Sequence, residues 1–314
     1  MTTTASPLPL LLEEIEVVGV ERLSPSFVRV EFGSPALAEL GVDGPLYDQR
    51  IKLIFPAADG RLPSFEGAAD ESWFETWMEL PEDERGAMRT YTIRALRGTG
   101  VDTRLVVDFV IHGPDDAWGP GGDWGADVEV GQRVITMAPR RGVPFGGIEF
   151  APGTAKRLLL VGDETAVPAI ASILECLPPT ARGAVFLEVP YAADVLTVRH
   201  PVGLEVHWLP RDGAPRGGRI HAGVLEHLGE EPIAPVVDEV DPDLWETPTF
   251  SSSGEDVDEA VRLVGHDLDD LYAWIAGESS MVTGLRRALV RDLGVDRHQV
   301  AFMGYWRLGV AMRS

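Results

Sequence analysis

The hydrophobic pattern of this chain changes period near Pro152, and that change constrains the fold more than any other feature. Before it, apolar residues alternate with polar ones, as in Ile15, Val17 and Val20, then Phe27, Val28, Val30 and Phe32, and again in Leu105, Val107, Phe109 and Ile111. Strands with one wet and one buried face read this way. Residues 14–32 predict two strands joined at Leu23-Ser24-Pro25-Ser26; residues 50–55, 89–94, 104–113 and 133–137 predict four more. At least six short strands with little helix describe a small antiparallel β-barrel. After Pro152 the apolar runs are continuous, at 157–162, 183–189, 204–209, 271–278 and 300–306, which is the signature of strands buried on both faces. Helices are predicted over 166–177, with Pro168 in the first turn, and over 280–293. The expected fold is therefore a two-domain β plus α/β chain: an N-terminal antiparallel barrel over 1–152, then an open parallel α/β sheet domain over 153–314.

Composition narrows the partners. The 27 basic and 50 acidic side chains give a net charge of −23, which argues against nucleic acid or an anionic membrane surface. An anionic ligand would need a local basic patch. Cys176 is the only cysteine, so neither an internal disulfide nor a cysteine-cluster metal site is expected. No apolar run approaches the roughly 20 residues needed to span a bilayer, and the Leu8-Pro9-Leu10-Leu11-Leu12 run stops at Glu13-Glu14 without a basic stretch before it. A soluble cytoplasmic protein, monomeric or weakly dimeric, with no resident metal is the expectation.

The residues that carry chemistry cluster in Arg89-Thr90-Tyr91-Thr92-Ile93-Arg94. As a strand, this run puts Arg89, Tyr91 and Ile93 on one face and Thr90, Thr92 and Arg94 on the other. A guanidinium fork for a pyrophosphate, a flat ring for a ribityl chain or heterocycle, and a threonine for the polar edge of an isoalloxazine suit a flavin dinucleotide. An ordinary charged surface strand has the same composition. Gly119-Pro120-Gly121-Gly122-Asp123-Trp124 reads as a glycine-rich turn into a short helix, a phosphate seat or else a flexible barrel loop. His112, at a strand end, is assigned to cofactor contact and not to acid–base work. Gly162 and Gly277 follow strand ends where open sheets bind nucleotides, although no Gly-x-Gly-x-x-Gly is present. Glu188, closing the second buried strand, would favour NADH by bonding a ribose diol, unless Arg199 or Arg211 folds back to take a 2′-phosphate. Residues 59–88, with Trp73, Phe74 and Trp77, read as a surface excursion with a short helix; residues 230–258 read as an acidic, solvated excursion that Leu244-Trp245-Glu246 pins to the sheet.

A barrel bearing Arg-x-Tyr-Thr-x-Arg ahead of an open α/β domain resembles the ferredoxin reductase-like flavoproteins. Six motifs in order, at 89–94, 108–113 with Gly119-Pro120 and Trp124, 162–170, 244–247, 274–278 and 304–307, resemble those of the siderophore-interacting proteins, from about residue 15 to the C-terminus. That family comprises FAD-dependent ferric-siderophore reductases. The resemblance implies FAD on the barrel, NADH or NADPH on the sheet domain, and single electrons passing to siderophore-bound Fe(III) with no protein acid or base. It assigns Arg89, Thr90, Tyr91, Thr92, His112, Gly113, Gly119, Pro120 and Trp124 to FAD and puts Thr165 near the ring. Gly121-Gly122-Asp123 departs from the small residues such as Ala-Ser that the family more often has. Tyr305 or Trp306 would cover the isoalloxazine, the alternative being that both rings fill core. Arg307 and Arg313, with Arg286, Arg287 and Arg291, form either a basic island for an anionic ferric siderophore or a set of solvated charges. A generic flavin reductase and a non-enzymatic flavin- or siderophore-binding module are the competing functions.

Overall fold

The computed structural model describes residues 9–65, 73–111, 119–231, 245–247, 250–251 and 268–309. Seven strands make the first sheet: β1 Leu10–Arg22, β2 Phe27–Gly33, β3 Arg50–Phe55, β4 Ala87–Thr92, β5 Ala95–Arg97, β6 Arg104–Val110 and β7 Arg133–Pro139. Their order is β4-β3-β7-β1-β2-β6-β5, with every pair antiparallel. The two edge strands are consecutive in the chain. Ile93 N–H still bonds Gln49 O at 2.9 Å, on the β3 side, and Arg94 N–H already bonds Val106 O at 2.9 Å, on the β6 side. The sheet thus curls until one segment, 87–97, joins both of its edges. The interior is filled by Val17, Val30, Phe32, Leu53, Val107 and Phe109. β5 is additional to the strands expected from the alternation. β1 starts at Leu10, opposite Pro139, so part of the leucine run is a stave of the barrel.

Helix α1, Trp73–Glu79, lies where a short helix is expected. Its Trp73 and Trp77 cover Ile54, Met88 and Ile135 on the outside of the barrel. Helix α2, Pro120–Ala126, follows the glycine-rich turn.

The second sheet contains β8 Arg157–Gly162, β9 Gly183–Val189, β10 Leu204–Pro210, β11 Trp245–Thr247, β12 Phe250–Ser251, β13 Leu271–Glu278 and β14 Val300–Trp306. Its order is β10-β9-β8-β13-β14-β11-β12. The first five are parallel; β11 and β12 add an antiparallel edge, so the sheet is mixed where a purely parallel one is expected. All eight residues of β13 are buried because helices cover both faces. Those helices are α3 Val167–Cys176, α4 Gly218–His227 and α5 Ser279–Arg286, and residues Arg287–Asp292 continue α5 as a wider π-helical turn. Among the described residues no helix is long and apolar enough to cross a membrane.

Buried polar bonds join the two sheets. Trp274 Nε1 donates to Asp48 Oδ2 at 3.1 Å, and the amides of Glu149 and Phe150 donate to the same carboxylate. Ser24 Oγ and Ser26 N donate to Asp194 at 2.6 and 2.8 Å, while Phe27 packs into the core of the second sheet.

Candidate active site

On the barrel, antiparallel register fixes which side chains share a face. Lys52 lies opposite Thr90 and Arg50 opposite Thr92, so these four line the outer face, where Lys52 Nζ donates to Thr90 Oγ1 at 2.7 Å. Arg89 lies opposite Leu53 and Tyr91 opposite Ile51, on the face of the core. The alternation read from the sequence therefore holds. Burial pushes the Lys52 ammonium below its ordinary value, and the neighbouring Arg50 and Arg89 guanidinium groups push it further. Burial also lowers Arg89. Arg50, Lys52 and Arg89 lie on adjacent rungs in a protein of net charge −23; Arg50 is paired with Glu149, so a bound anion would chiefly relieve the desolvation of Lys52 and Arg89. Lys52, one of two lysines in the chain, is a candidate that the Arg89 motif does not reveal; its rarity is the signal that could have found it.

The Tyr91 ring packs 4.5 Å from Phe109 and 6.0 Å from Phe55, centroid to centroid. Its hydroxyl abuts α2 so closely that a Cβ on Gly121 would lie 2.1 Å from it, which accounts for glycine at the position that departs from the family pattern. Within α2, Gly122 N and Asp123 N both donate to Gly119 O, at 2.9 and 3.1 Å. Trp124 stacks on Phe32 and tilts against Phe55 and Phe109, so its indole plugs the barrel and anchors the Gly119-Pro120 turn. Arg94 turns away from the motif and bridges to α3 through two bonds to Glu175 at 2.9 and 2.8 Å. His112, Gly113 and Arg313 lie outside the described residues.

In the second sheet, the chain leaves β8 towards β9 and leaves β13 towards β14, so the gap between β8 and β13 is the topological switch point. Asp163 occupies it. The carboxylate accepts from Thr165 N at 2.9 Å, Thr165 Oγ1 at 2.5 Å, Glu278 N at 2.7 Å and Trp306 Nε1 at 2.8 Å. Burial, followed by the adjacent Glu164, pushes its carboxyl up to about 7, against the pull of those donors. The backbone must pass close: a Cβ on Gly277, whose φ is +144°, would lie 2.7 Å from Asp163 Cγ. Fully buried Glu164 accepts both arms of Arg211, at 2.7 and 2.9 Å.

Glu188 corrects the argument for NADH. Its carboxylate is buried, accepts Gly217 N at 2.8 Å where α4 begins, and lies 3.5 Å from Arg211. It caps a helix and presents no edge to a ribose, and Arg211, fixed on Glu164, has no freedom to fold back. Arg286 is likewise bound, to Glu246 at 2.6 and 2.9 Å, which removes it from the expected basic island. Arg307 is half-buried just beyond Trp306.

The two halves of the site meet at Tyr305 and Trp245. The Arg50 guanidinium sits 4.3 Å from the Trp245 ring centre; Trp245 stacks on Tyr305 at 6.0 Å, and Tyr305 meets Trp274 edge-on at 6.4 Å. Tyr305 thus packs between Trp245 and Trp274 where barrel and sheet meet, and Trp306 donates its indole N–H to Asp163 in the crevice. Trp245 belongs to the stretch read as a pin, and its strand pairing with β14 shows how the pin works.

A curled antiparallel barrel with a cationic face, joined through this aromatic stack to a mixed sheet with a switch-point crevice, defines the class of ferredoxin reductase-like flavoprotein folds. Residues 16–143 match the siderophore-interacting FAD-binding domain and residues 155–309 the siderophore-interacting protein family. The chain belongs to the siderophore-interacting protein family. It is 31% identical over 303 residues to an uncharacterized protein of Mycobacterium tuberculosis (strain ATCC 25618 / H37Rv), covering 95% of this chain and 91% of the relative. It is 28% identical over 304 residues to the ferric vibriobactin reductase ViuB of Vibrio cholerae, covering 92% of each. The crystal structure of a siderophore utilization protein from T. fusca superposes with a TM-score of 0.65 at 27% identity, covering 98% of this chain and 97% of that one.

Proposed function

We propose that the protein is a cytoplasmic NAD(P)H:ferric-siderophore oxidoreductase, with FAD on residues 1–152 and the nicotinamide donor on residues 153–314. The observation that carries this reading is the meeting of a cationic barrel face and a nucleotide-type crevice across one aromatic stack, from Arg50 through Trp245 to Tyr305. Bound there, a flavin supplies the adaptor between a two-electron donor and a one-electron acceptor.

The chain's own residues bind and orient. Arg89 and Lys52 offer charge to the anionic parts of cofactor and acceptor, and Thr90 and Thr92 offer hydroxyls on the outer face. Tyr91, seated against Gly121, fixes the wall beside the Gly119 turn. Trp245, Tyr305 and Trp274 keep water from the junction. Asp163 holds Trp306 and the start of α5 in place at the crevice. Reduction weakens iron's bond to hard oxygen ligands, and so releases Fe(II) from the siderophore.

The test is a purified yellow protein bleached by NADH or NADPH, then reoxidised by a panel of hydroxamate, catecholate and carboxylate ferric complexes faster than by free flavin. Arg89→Ala should lower FAD affinity about tenfold to a hundredfold, the value of a charge-assisted fork. Bleaching without acceptor preference would leave a general flavin reductase, and an unbleached protein would leave a binding module.

A further inference from the structure

Open α/β sheets ordinarily hold nucleotide phosphates on helix N-termini at the carboxyl edge of the strands. In this sheet the starts of α4 and α5 carry the chain's own carboxylates, and a third stands in the turn before α3. Asp163 takes Thr165 N in the turn ahead of α3, whose own N-cap, Ala166, brings no side-chain acceptor to the helix end. The start of α4 is capped by Glu188 through Gly217 N, and α5 is capped by Glu278, which accepts Ser280 N at 2.7 Å and Met281 N at 3.2 Å. A phosphate approaching α4 or α5 would meet the Glu188 or Glu278 carboxylate in place of bare amides, and one approaching α3 would find Asp163 beside it. Cations at this edge must supply what the helix ends do not. Arg211 is enclosed, bidentate on Glu164 and only 6% exposed at its side chain. Arg216, from the loop before α4, is 25% exposed; its guanidinium lies 5.3 Å over the Trp306 ring and 3.8 Å from Glu164. Trp306 is itself fixed, its indole N–H by Asp163 and its carbonyl by Ser279 Oγ at 2.9 Å. A planar cation resting on an anchored aromatic face at the crevice rim is pre-oriented for a bidentate phosphate contact.

We propose that Arg216 holds a phosphate of the pyridine dinucleotide and sets the strength of donor binding, in the role that helix N-termini fill in other sheets of this type. The inference rests on the reading that the donor enters at this switch point. The ligand chemistry is a phosphate ester, either the pyrophosphate common to both donors or the 2′-phosphate of NADPH alone.

The experiment uses the FAD-loaded full chain as wild type, Arg216→Met, which keeps the aliphatic stem over Trp306, and Arg216→Lys, which keeps the charge without the fork. Flavin bleaching gives KM for NADPH and NADH, and calorimetry gives Kd for 2′,5′-ADP and ADP; flavin content and melting temperature report the fold. Loss of the fork raises the affected constants about tenfold to a hundredfold in Arg216→Met and less in Arg216→Lys. A rise for both donors and for ADP identifies the pyrophosphate, and a rise confined to NADPH and 2′,5′-ADP identifies the 2′-phosphate. Unchanged constants for both donors in a folded variant overturn the proposal while the functional reading stands. If the wild type is neither bleached nor binds either nucleotide, the functional reading falls and Arg216 with it. Should Arg216→Met fail to fold, Arg216→Lys decides by the same two comparisons.

Discussion

Replacing Tyr305 with phenylalanine removes one oxygen from the centre of the junction and leaves the stack on Trp245 in place. That oxygen is buried and has no hydrogen-bond partner among the described residues. Burial, with Asp48 next in importance, pushes the phenol's ionisation far up, so it sits there as a neutral hydroxyl. An unsatisfied buried polar group costs about 1–3 kcal/mol. Removing the oxygen also forfeits its own dispersion attraction to the surrounding atoms, which offsets part of that gain. The flavin-free Tyr305→Phe variant should therefore be more stable than wild type by about 1 kcal/mol, or roughly 2 °C in melting temperature for a chain of this size. With FAD bound the sign should reverse. A hydroxyl that finds its partner on the cofactor contributes about 0.5–1.5 kcal/mol to binding, so the variant should hold FAD about two- to tenfold more weakly. Scanning calorimetry on apoprotein and holoprotein, with a flavin-fluorescence titration, measures both. A lower melting temperature in the flavin-free variant would show that the hydroxyl is already satisfied and would refute the reasoning.

Two further outcomes follow from the same geometry. Gly121→Ala places a Cβ 2.1 Å from Tyr91 Oη and 3.2 Å from Phe55, and should destabilise by about 1–3 kcal/mol with loss of flavin; combining it with Tyr91→Phe should recover part of that, and strictly additive unfolding energies would disprove the clash. The Asp163 carboxyl, at about 7 in the fold against about 3.9 in an unfolded chain, binds its proton more tightly when folded, so its contribution is full below about pH 4 and is lost as pH rises through about 7. Denaturant unfolding between pH 5 and 8 should show wild-type stability falling more steeply than that of Asp163→Asn, and parallel slopes would remove Asp163 as the source.

Elements whose side chains announce their surroundings are legible in the sequence. The runs that form β9 and β13 read as strands buried on both faces, and the alternation in Arg89 to Thr92 assigns those residues to the faces they occupy. Elements sustained by distant partners are not legible. β5 is three residues long and exists because 87–97 must cross from β3 to β6. α4 contains Gly218 and Gly223, poor helix formers, yet Ile220, Val224 and Leu225 bury against the sheet. Trp245 and Glu246 read as the pin of an acidic stretch, but the partner that buries Glu246 does not: it is Arg286, 40 residues away.

Glu188 misleads for a related reason. A carboxylate at the end of a strand looks the same in sequence whether it faces a ribose or caps the next helix, and only the return of Gly217 to within 2.8 Å distinguishes the two. The same observation explains a missing fingerprint. The glycines of Gly-x-Gly-x-x-Gly exist to let a pyrophosphate approach a bare helix N-terminus. Here the turn after β8 reads Gly162-Asp163-Glu164-Thr165, and its carboxylates are occupied by Trp306, Glu278 and Arg211, partners 47 to 143 residues further along the chain. The guanidinium over Trp306 stands in the same arrangement, in which carboxylates build the crevice and, on the proposal above, Arg216 brings the charge that meets the donor.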